Sequence, residues 1–197
     1  TPEEISFIFG EAPDGLGKGS TKTGYASRKF CDESVAGGQG GGDQVLPFIR
    51  LGEIYLNYVE AMNEYNPSNK AEIESYLIKL RKRAGIKPGA DNRYGLPATY
   101  TQDQMRTIIH NERRVELSLE EGHRFFDLKR WGELEKAKNE VDFYGIKWSK
   151  SESGELTSEP YFVETHKFDP KRQYYYPIPP SEINIVGIDL LKQNPGW

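Results

Sequence analysis

The run Arg50-Leu51-Gly52-Glu53-Ile54-Tyr55-Leu56-Asn57-Tyr58-Val59-Glu60-Ala61-Met62 places apolar side chains at Leu51, Ile54, Tyr55, Tyr58, Val59 and Met62, spaced 3, 1, 3, 1 and 3. That period is one stripe of an α-helix, because positions three and four apart lie on the same face. A strand would alternate every second residue, and this segment does not. The clearest signal in the chain is therefore helical, and the segments that follow read the same way.

Asn66-Pro67-Ser68-Asn69 breaks the first helix. Asn69, with Glu72 three residues on, has the form of an N-cap pair opening a second helix through Ile73, Tyr76, Leu77 and Leu80, and Gly85 supplies a C-terminal stop. Residues 86–100 are rich in Gly, Pro and Asn and read as a loop. Thr101 with Gln104 opens a third helix carrying Met105, Ile108 and Ile109 onward to Leu119, and Gly122 ends or bends it. Phe125, Leu128, Trp131 and Leu134 keep a spacing of three as far as Lys138. Residues 50–84 and 103–137 thus form two helix-turn-helix pairs of 35 positions each, near the period of about 34 residues seen in tetratricopeptide repeats. Residues 1–49 are Gly-rich loops and extended segments. Residues 138–197 are a polar loop region with an exposed tip at 149–154 and an extended tail, Tyr174-Tyr175-Tyr176-Pro177-Ile178-Pro179-Pro180, where proline stops helix growth.

The 197 residues are 36% hydrophobic and 28% charged, with 12 Tyr, 9 Phe and 3 Trp, so rings carry much of the core. A net charge of -4 lacks the basic excess that a phosphate backbone requires, and no nucleic-acid partner is expected. No window offers the roughly 18–20 apolar residues of a membrane span. One cysteine, Cys31, excludes an internal disulfide.

Candidate chemistry narrows quickly. Residues 10–20 imitate a phosphate loop, but Gly15 is followed by Leu16 where a lysine belongs, so they read as a flexible turn, as does the glycine run at 37–42. His110, His123 and His166 share no i, i+4 spacing; no metal site and no cofactor are expected. No Gly-x-Ser-x-Gly elbow occurs. The densest cluster, residues 112–131, balances Glu112, Glu116, Glu120, Glu121 and Asp127 against Arg113, Arg114, Arg124, Lys129 and Arg130. Arg113 with Glu116, Arg124 with Asp127, and Asp127 with Arg130 stand at i, i+3, the geometry of ion pairs along a helix. Two carboxylates of such a cluster also have the makings of a glycosidase acid and base. The basic neighbours hold every acid ionised, which favours a structural network and assigns no catalytic residue.

Aromatics outside the helical stripes are Tyr25, Tyr94, Tyr100, Phe143, Tyr144, Trp148, Tyr161 and Phe162. Flat rings on loops stack on the apolar face of a sugar, or fold back to roof a core. Trp148, Tyr144 and Tyr25 are the candidate ligand-binding residues, since Trp148 lies in a polar stretch with no stripe to claim it.

Four blocks together resemble one family. The Arg50 helix, with Gly52 where alanine is usual, Leu80-Arg81-Lys82-Arg83-Ala84-Gly85-Ile86, the cluster from Glu112-Arg113-Arg114 through Gly122-His123-Arg124 to Asp127-Leu128-Lys129-Arg130-Trp131, and the closing Tyr176-Pro177-Ile178-Pro179-Pro180 with Gln193-Asn194-Pro195-Gly196-Trp197 are similar, in order, to the SusD/RagB family. The resemblance implies a mostly α fold of tetratricopeptide-like helix pairs with long irregular loops. It also implies a non-catalytic surface lipoprotein of the outer membrane, which captures oligosaccharides or polysaccharides, in some members peptides, for a SusC-like TonB-dependent transporter. An alternative is a peptide- or protein-binding helical-repeat scaffold of the same surface-uptake type. The matched motifs are the family's scaffold and carry no binding role. Members are longer chains, so the resemblance further implies a C-terminal portion whose lipid anchor lies upstream of Thr1, with Cys31 not the anchor, and apolar surface left exposed on the helices of residues 50–80.

Overall fold

The computed structural model describes residues 23–25, 27, 29, 30, 47–120 and 122–197. The reading of residues 1–49 as Gly-rich loops and extended segments falls mostly, and those at 10–20, Cys31, 37–42 and Glu121 wholly, outside the described residues. Packing divides the chain into two units, one of Val45–Arg124 and one of Phe125–Trp197 with the described part of Thr1–Gln44.

The first unit is helical. Helices α1 (Leu51–Tyr65), α2 (Lys70–Arg83) and α3 (Gln102–Glu116) meet with α1 in contact with both others. The core is Leu56, Val59, Ile73, Leu77, Leu80, Leu96, Tyr100, Met105, Ile109 and Leu117, several with no exposed surface at all. Each fully buried Leu or Ile contributes about 2 kcal/mol. The predicted stripe of α2 is the one that is buried. That of α1 is buried only in part: Val59 is in the core and Tyr55 and Met62 pack against it, beside the inward Leu56 and Asn63, whereas Leu51, Ile54 and Tyr58 are exposed, as is Tyr65. The reason is that α1 is apolar on two faces. Leu51, Ile54, Tyr58, Ala61 and Tyr65 recur at 3, 4, 3 and 4, an outward heptad seam superposed on the inward one.

The helix ends follow local chemistry. Thr101 Oγ1 accepts from the Gln104 N–H at 3.2 Å and Gln104 Oε1 accepts from the Thr101 N–H at 2.8 Å, completing the predicted capping box. Asn69 does not cap α2 through its side chain, which instead donates to the Glu72 carboxylate. After α2, Gly85 N–H bonds to Lys82 O and Ile86 N–H to Arg81 O, the paired closure of a Schellman turn. The helix predicted through Leu119 ends at Glu116.

In the second unit the fourth predicted helix is two short ones, α4 (His123–Arg130), which begins just before the unit boundary, and α5 (Leu134–Lys138). Gly132, at φ +71, makes the break, with Glu133 N–H on Leu128 O closing α4 at 2.8 Å. Leu128, Leu134 and Phe168 form a small separate core. Residues 139–170, read as loop, instead form an antiparallel hairpin of β1 (Val141–Lys150) and β2 (Leu156–His166), with a bulge between Phe143 and Tyr144. Two short helices follow, α6 (Pro170–Gln173) and α7 (Pro180–Val186), with the extended tail between them. Gln193 clamps that tail like a strand partner, accepting from Ile178 N–H at 2.8 Å and donating to Ile178 O at 2.9 Å, while Asn194 donates to Tyr176 O at 2.7 Å.

Candidate functional site

Each acid of the charged cluster described in the structure is held by an arginine, mostly one from outside the cluster. Arg50 grips Glu120 with Nε at 2.7 Å and Nη2 at 2.8 Å, and reaches Glu116 with Nη1 at 2.6 Å. Arg83 also bonds to Glu116, and Arg81 forks onto Glu112 at 2.8–3.2 Å. Arg113, 4% exposed, donates to Asn57 Oδ1 at 2.6 Å and stands 3.5 Å from Glu60. Asp127 pairs with Arg130 at 2.9 Å, as its spacing predicts. Arg124 is half-buried in the first turn of α4. The hydrogen bond to Glu120, working against burial, holds the Arg50 guanidinium charged well above its ordinary range. These are the contacts of a helix-joining lattice: planar forks matched to carboxylates and aimed at one another.

Among the eight aromatics, Tyr100 is core, Phe143 stacks on His166 at 3.8 Å, and Tyr94 is half-buried, its carbonyl accepting from Arg81 at 3.0 Å. Tyr144 and Trp148 behave differently. The hairpin places Tyr144, Ile146 and Trp148 on one face of β1, opposite Phe162, Pro160 and Ser158 of β2. Tyr144 and Phe162 are both more than half exposed and meet edge to face at 6.0 Å. Trp148 is half-buried, about 13 Å along the strand from Tyr144.

Tyr25 joins this element through its backbone. The Ile146 N–H donates to Thr23 O at 2.8 Å, laying residues 23–25 along the free edge of β1. The approach is close enough to demand glycine: a Cβ on Gly145 would lie 2.7 Å from Thr23 O, and one on Gly24 would lie 1.9 Å from Ile146 O. Tyr25 is 58% exposed beside the strand. The three predicted residues thus share one supersecondary element. Phe162, on the first list but not singled out, belongs to the same face; its signal is the pairing register, legible only once the hairpin is known.

The model of one family, described as the SusD family, matches residues 3–197. The chain belongs to the SusD family. It is 29% identical over 149 residues, 76% of its length, to the "SusD-like protein P2" of Formosa agariphila, and it spans 25% of that relative. It is also similar to the crystal structure of a SusD-like protein from Bacteroides fragilis, with a TM-score of 0.65 and 25% identity over 90% of this chain and 31% of that one. The mostly helical SusD-like fold expected from the sequence is therefore the fold observed. Among the described residues no cluster of His, Cys, Asp and Glu is arranged to hold a metal ion, and no helix is long and apolar enough to cross a membrane.

Proposed function

We propose that this chain is part of a cell-surface nutrient-binding protein of the outer membrane, a non-catalytic lipoprotein anchored upstream, which captures oligosaccharides for a SusC-like TonB-dependent transporter. The observation that carries the ligand reading is the hairpin face: Tyr144 and Phe162 edge to face and exposed, with Trp148 on the same side of β1. A row of rings on a rigid strand pair offers stacking surface to the apolar faces of successive pyranose units, with little conformational entropy to lose on binding. The fixing of Glu112, Glu116, Glu120 and Asp127 by arginines supports the non-catalytic reading, because these carboxylates are occupied in structural ion pairs. Titrating soluble oligosaccharides while following tryptophan fluorescence tests the proposal. A saturable change that disappears in Trp148→Phe supports it, and silence across neutral and acidic glycans contradicts it.

A second reading has its own observation. The outward seam of α1, Leu51, Ile54, Tyr58, Ala61 and Tyr65, has the spacing with which one helix receives another. It favours a scaffold that docks a peptide or protein helix, and an amphipathic peptide library screened against Ile54→Lys and wild-type chains separates the two readings.

A further inference from the structure

We draw no further inference here: the strongest candidate, the outward apolar seam of α1 from Leu51 to Tyr65 with Phe48 and Ile49 exposed ahead of it, already belongs to the second functional reading, and nothing in the structure shows what covers it.

Discussion

Arg50 and Glu120, 70 residues apart, meet through two hydrogen bonds of 2.7 and 2.8 Å, and the same guanidinium holds Glu116 at 2.6 Å. One side chain ahead of α1 thereby fastens the end of α3 and the turn beyond it. The Glu120 side chain is only 6% exposed, so these two hydrogen bonds replace contacts it would otherwise make with water.

Removing one member of the pair costs more than removing both. Arg50→Met takes two hydrogen bonds from the buried Glu120 carboxylate and is expected to lower stability by about 3 kcal/mol, whereas Arg50→Met with Glu120→Leu recovers part of that loss. Urea unfolding at constant m-value measures both. A double variant no more stable than the single one contradicts the account.

The capping box makes a smaller, local contribution. Thr101→Ala removes the acceptor for the Gln104 N–H and is expected to cost about 1 kcal/mol, while Thr101→Ser is near neutral. Thermal denaturation of the two variants decides it.

Gly145→Ala tests how residues 23–25 are held. The added Cβ would lie 2.7 Å from Thr23 O, a backbone atom that yields only if the segment lifts. The expected result is lost hydrogen-exchange protection at the Ile146 amide, with the exchange rates of α1 to α3 unchanged.

Acid sensitivity has a defined sign. Burial pushes Glu74 up, but hydrogen bonds from Arg93 and Tyr100 outweigh it and leave its carboxyl below the ordinary value; Glu64 is held low chiefly by Arg106. A depressed folded pKa contributes stability that is present above the unfolded carboxyl range, about 4.3, and is lost as pH falls through the folded value. Unfolding midpoints measured from about pH 6 down to about pH 3 are expected to fall for the wild type and to fall less steeply for Glu74→Gln.

Much of this was legible in the residues, and the exceptions have physical causes. The α3 cap and the stop at Gly85 are local, fixed by side chains three residues apart or by one glycine, and local signals survive folding. The inward face of α1 was legible only in part, at Tyr55, Val59 and Met62, because two apolar seams overlap on one helix and period alone cannot say which meets the core. The hairpin was hidden because Asp142-Phe143-Tyr144-Gly145 straddles a bulge that breaks strict alternation. The ion pairs were foreseen as charge balance but not as partners: Arg50, Arg81 and Arg83 lie 31 to 70 residues from the acids they hold. Spacing along one helix sees only the Asp127 with Arg130 kind of contact. Tyr144 and Trp148 were chosen for being unclaimed by any stripe, and a strand face is where such residues come to rest.

The central claim is that the Tyr144, Phe162 and Trp148 face binds sugar. Isothermal titration of an oligosaccharide that binds the wild-type chain, repeated on Tyr144→Ala and Trp148→Ala, tests it most directly. A loss of about 1 kcal/mol, roughly fivefold in Kd, is expected for each ring removed, with unfolding midpoints close to wild type. Unchanged affinity in both variants, with binding otherwise intact, would contradict it.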